Sequence, residues 1–144
     1  MVAKIIIASS LVAGTVAVHA AGLALLLRTL MTPRAMPQAR FWPVTWFLIR
    51  MVLCLISIHL VEIAIWGIFY YWQGCLPDAE SAFYFAGVTY TTVGYGDLVL
   101  PQEWRMLGPV EGLAGILMCG LSTGVFFAVV SSLFKHPDGK RMLG

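Results

Sequence analysis

Charge is what this chain of 144 residues has least of: Asp, Glu, Lys and Arg together make up 11%, against about a quarter in soluble domains. An ordinary water-soluble domain is thereby excluded. The nine Lys and Arg form no dense patch of the kind that grips nucleic acid, so no nucleic-acid partner is expected. Cysteine is also scarce. Cys54, Cys75 and Cys119 are too few and too scattered for a disulfide framework or a zinc-binding cysteine set. The chain carries no glycine-rich nucleotide loop and no hydrolase triad. Neither an enzymatic step nor an organic cofactor is expected.

What is abundant is apolar. Hydrophobic residues make up 60% and the mean hydropathy is +0.86. Residues 5–27, 44–72 and 107–134 are each long enough to cross a bilayer, which takes about 20 apolar residues in helical form. Between the last two runs, Pro77-Asp78 forms a helix-start signal. The helix it predicts, 79–90, is roughly 18 Å long and cannot span. The expected fold is therefore all-α and integral to the membrane, with three transmembrane helices and one short re-entrant helix.

Lys and Arg orient these spans. Arg28, Arg34, Arg40 and Arg50 fall around the first connection, and Lys135, Lys140 and Arg141 follow the third span. With those in the cytoplasm, the N-terminus is outside and the C-terminus inside. Asp78, Glu80, Asp97, Glu103 and Glu111 then gather at the outer mouth. Trp42 and Trp46 mark the inner interface, and Tyr70, Tyr71, Trp72 and Trp104 the outer one. Lys4, the apolar run and Val18-His19-Ala20 also fit a leader cleaved after Ala20. The arginines of the first connection favour an uncleaved helix, because cleavage would invert the second span. Ala13, Ala17, Ala21 and Ala24 form a small-residue stripe on this first helix, suited to docking on a neighbour. The helix has no repeated arginines and so no voltage-sensing pattern.

After the short helix, residues 92–97 read Thr-Val-Gly-Tyr-Gly-Asp. Gly94 and Gly96 lack a Cβ and can take positive φ, which lets consecutive carbonyls point one way instead of alternating. With Thr91 before it and apolar spans on both sides, this segment is similar to the filter of potassium channels. From about residue 41 to 135 the chain resembles the pore module of the two-transmembrane bacterial potassium channels: outer helix, pore helix, filter and inner helix in that order. Residues 1–40 add a peripheral helix and basic loop, and 136–144 form a short tail, too short for a regulatory domain. A regulator would be a separate subunit.

The resemblance implies a four-fold homotetramer in a plasma membrane, such as a bacterial inner membrane, conducting K⁺ selectively and passively. Thr92, Val93, Gly94, Tyr95 and Gly96 would supply the K⁺ sites, with Val93 and Tyr95 turned outward to pack behind the filter. Asp97 would support its outer end. Some relatives have a pore-helix glutamate as the partner of that aspartate; Val88 stands at that position here. Tyr84, where a tryptophan is usual, is the expected substitute. Gly115 and Gly120 are the gating-hinge candidates, with close helix packing as the plainer reading. Residues Ser122, Thr123, Phe126 and Phe127 would line the cavity or its inner exit.

Three ionisable residues fall deep inside predicted spans: His19, His59 and Glu62. They are expected to meet as a buried polar cluster, either a hydrogen-bonded clasp between the first two helices or a pH-sensing element. Two other classes of function stay open at this point. One is a non-conducting or modulatory channel subunit, and the other a membrane haem protein using His19 and His59 as ligands.

Overall fold

A computed structural model describes residues 2–30 and 41–134. The chain forms four helices in these stretches: α1 (Val2–Leu30), α2 (Phe41–Trp72), α3 (Ala79–Tyr90) and α4 (Leu107–Phe134). There is no strand among the described residues. Three helices are long and apolar enough to cross a membrane. Arg34, Arg40, Lys135, Lys140 and Arg141, on which part of the orientation argument rests, lie outside the described residues.

The boundaries follow local chemistry. α1 and α2 run past the expected spans, at 29 and 32 residues, or about 44 and 48 Å. Both exceed the ~30 Å hydrocarbon core, so their ends reach the interfaces. Trp42, Trp46 and Trp72 near the ends of α2 are exposed. α3 starts where Asp78 turns to extended backbone and its carboxylate accepts from the Ser81 N–H at 2.8 Å. A cap of this kind contributes about 1 kcal/mol. α3 ends at Thr91, whose N–H and hydroxyl both donate to the Gly87 carbonyl.

Side chains pack in two apolar cores. One, at the α3 end, is built from Trp66, Tyr70, Phe85, Tyr90 and Leu107 with their neighbours. The other joins Leu26, Phe47, Met51, Leu55 and Val129. Lipid tails are as apolar as these side chains, so the gain lies in dispersion and close fit, not in exclusion of water. Close fit is visible at Gly22 and Gly67. A Cβ there would lie 2.7 Å from Ile58 and 2.9 Å from Phe83, so α1 and α3 both approach α2 closely.

The docking face of α1 differs from the expected one. Thr15, His19 and Leu26 are buried, whereas Ala13, Ala17, Ala21 and Ala24 are exposed. The buried residues recur at helical spacing on the face that meets α2, where Gly22 also approaches Ile58. Polar anchoring explains the choice: the Trp66 indole N–H donates to Thr15 Oγ1 at 3.0 Å, and the Thr15 hydroxyl donates onward to the Leu11 carbonyl. Tyr70 is also corrected. It is fully buried and so does not belong to an exposed aromatic belt, and its hydroxyl donates to Glu111 Oε2 at 2.8 Å. Glu111 is likewise fully buried and so takes no part in an acidic mouth.

Candidate functional site

Two groups of residues stand out, one on the loop after α3 and one between the two apolar cores. In the loop, Thr92, Gly94 and Gly96 have φ of 62°, 52° and 78°, while Val93 and Tyr95 stay at ordinary negative values. Every second residue is thus left-handed. In an extended strand successive carbonyls alternate sides; alternating the hand of the backbone turns them to a common side. Glycine accepts this conformation freely, but Thr92 does not. A threonine at positive φ is a genuine outlier, and such strain collects at functional sites. Only the glycines signal this backbone in the sequence.

The loop is tied to α3 at its base. Thr92 N–H donates to the Thr89 carbonyl and Gly94 N–H to the Val88 carbonyl, both at 3.0 Å. At the far end, the Tyr84 hydroxyl donates to Asp97 Oδ2 at 2.8 Å. That bond to Asp97 holds the Tyr84 phenol above its ordinary pKa. Val93 and Tyr95 are 52% and 72% exposed. In the single chain both side chains therefore remain largely uncovered.

Between the two cores lies a polar layer drawn from all four helices. His19 Nδ1 meets Glu62 Oε1 at 2.8 Å, and His59 Nδ1 meets Glu62 Oε2 at 3.0 Å. The Tyr90 hydroxyl also donates to Glu62 Oε2. His59 Nε2 lies 3.0 Å from Ser122 Oγ on α4. Glu62 is fully buried, and its ion-pair partners are the two imidazoles. His19 and His59 fall on neighbouring helices as expected. Tyr90 and Ser122 were not foreseen as members. Ser122 is buried and turned toward His59 on α2, whereas Phe127 is 72% exposed. The arrangement does not suit a haem between His19 and His59. Their rings are 5.4 Å apart and both present a nitrogen to the same carboxylate, so no macrocycle fits between them.

Removing the acceptor tests the layer directly. Glu62→Ala leaves buried imidazole and phenol donors without their partner, at a cost of about 1–3 kcal/mol. Glu62→Gln retains an acceptor oxygen and the shape. Thermal unfolding of the purified protein should therefore fall clearly for the alanine variant and less for glutamine. Equal unfolding temperatures for Glu62→Ala and the parent would show that the layer contributes nothing.

The hinge candidates also separate. A Cβ at Gly115 would lie 2.0 Å from the Tyr90 carbonyl oxygen, whereas one at Gly120 would meet nothing within 4 Å. The close approach of α4 to the end of α3 accounts for Gly115 without a hinge. It also places the start of the loop directly against α4.

Comparison with known proteins gives no match among curated proteins and none among solved structures. The family described as ion channel does match, over residues 58–132, just over half of the 144 residues. The matched stretch runs from the polar layer on α2 through α3 and the loop to the last turn of α4. With three helices able to cross a membrane and this match, the chain is a multi-pass membrane protein that belongs to the ion channel family.

Proposed function

We propose that this protein is a K⁺-selective channel that conducts passively through a central pore formed by four copies of the chain. The observation that carries the reading is the left-handed backbone at Thr92, Gly94 and Gly96 within the Thr-Val-Gly-Tyr-Gly sequence. Carbonyls turned to one side on four strands form stacked oxygen rings that replace the hydration shell of K⁺. The Thr92 hydroxyl closes the inner end. Asp97, held by Tyr84, sits at the outer mouth, where its charge concentrates cations. α3 is then a re-entrant pore helix whose C-terminal dipole lowers the energy of a cation in the cavity.

Surface chemistry supports assembly. Val93 and Tyr95 on the loop and Leu113, Ile116, Leu117 and Leu121 on α4 are all more than half exposed in the single chain. In a four-fold ring, neighbouring copies would cover them. The N-terminal end of α1 belongs to the outer side in this reading: Lys4 Nζ donates to the Glu103 carbonyl at 2.6 Å, beside the Trp104 ring. Purified protein in liposomes provides the test. Flux driven by a K⁺ gradient and not by an equal Na⁺ gradient is the expected result. Equal K⁺ and Na⁺ flux would overturn the selectivity. No flux from the protein alone would make it a subunit that acts only with another channel chain.

A further inference from the structure

We propose that His19, His59 and Glu62 form a binding site for a divalent transition-metal ion of the Zn²⁺ class, which fastens α1 to the pore-side helices. One nitrogen from each imidazole and one carboxylate oxygen lie within 4.8 Å of one another. Three ligands holding Zn²⁺ at ~2.1 Å in a tetrahedral arrangement stand about 3.4 Å apart. That value falls between the shortest separations here, 2.8 and 3.0 Å, and the 4.8 Å limit. Two histidines and a glutamate make a three-ligand zinc set with the fourth position open, and imidazole with carboxylate suits Zn²⁺ better than the hard cations, which take oxygen alone.

Charge balance points the same way. Glu62 is fully buried inside a span, and among the described residues no Lys or Arg pairs with it. A carboxylate so placed needs a positive partner. The hydrogen-bonded layer is also incomplete by itself: both Glu62 oxygens, both His59 nitrogens and His19 Nδ1 have partners, but His19 Nε2 is buried with none. Outer support exists as well. When His59 ligates through Nδ1, its Nε2–H donates to Ser122 Oγ, the orienting bond that metal-bound histidines commonly make. The ion would thus join α1, which carries His19, to α2, with Ser122 of α4 reading its presence. The site does not depend on which ion the pore selects.

The experiment uses the purified full-length protein, stripped with a chelator, returned to chelator-free buffer and given Zn²⁺ alone. About one Zn²⁺ per chain should remain after desalting, with a raised unfolding temperature, since an ion bound only by the folded state stabilises it. Co²⁺ in its place should give the visible absorption of a tetrahedral site. His19→Gln and Glu62→Gln should lose the retained metal. Ser122→Ala, which removes only the support to His59, should weaken binding about tenfold. A parent protein that retains no Zn²⁺ overturns the proposal whatever the variants do. Retention by both His19→Gln and Glu62→Gln at the parent's level overturns it too, since the metal then sits elsewhere.

Discussion

Gly115→Ala should be among the most damaging single substitutions in this chain, lowering stability by about 3 kcal/mol, the upper end of the range for overpacking. The reason is backbone, not side chain. The added methyl would lie 2.0 Å from the Tyr90 carbonyl oxygen and 2.8 Å from its carbon. A flexible side chain could turn away; the last residue of α3 cannot move without shifting the loop at Thr92, which follows it by two positions. Gly120→Ala is the matched control, because its methyl meets nothing within 4 Å and alanine favours a helix by about 1 kcal/mol over glycine. Thermal unfolding of the two variants checks both. If Gly115→Ala unfolds with the parent, α4 does not abut α3 as described, and bending becomes the better account of that glycine.

The span limits were legible because helix length and apolarity in a membrane are one-dimensional properties. The start of α3 was legible at Asp78 for the same local reason. The faces were harder to read. A transmembrane helix is apolar all round, so neither periodicity nor hydropathy says which side meets protein and which meets lipid. On α1 the alanine stripe drew attention as the close-packing face, yet the polar atoms of Thr15 and His19 decided the matter, because α2 offers them Trp66 and Glu62 as partners. That signal was present in the sequence. Thr15 and His19 are one turn apart, as are Glu62 and Trp66 on the helix they face. Glu111 and Tyr70 were both placed at the outer level, but the sequence does not reveal that they face each other across two helices inside the protein. Ser122 was hidden likewise, since its role depends on the crossing of α4 over α2. The candidate site in the loop was largely legible, apart from the left-handed threonine, which no propensity announces.

The same substitution at a different glycine should act through conformation alone. Gly96→Ala is expected to abolish preference for K⁺ over Na⁺, and Gly94→Ala to do the same. Neither position is crowded, for a Cβ at either would meet nothing within 4 Å in the chain. What opposes the methyl is φ, at 52° for Gly94 and 78° for Gly96. An L-residue held there is disfavoured by about 1–2 kcal/mol. Thr92 already sits at 62°, so a further strained residue favours relaxation of the loop toward ordinary negative φ. Relaxation at one residue would reverse the following carbonyl and break the row of oxygens to which the proposed selectivity is assigned. Gly74 separates this effect from general destabilisation. Its φ is 61°, its Cβ position is equally open, and it lies in the connection between α2 and α3, outside residues 92–97. Gly74→Ala should therefore lower the unfolding temperature by a similar amount while K⁺ flux in liposomes stays selective. A Gly96→Ala protein that still prefers K⁺ would show that carbonyl alignment at this loop does not set selectivity, and the assignment of residues 92–96 as the ion sites would fall with it.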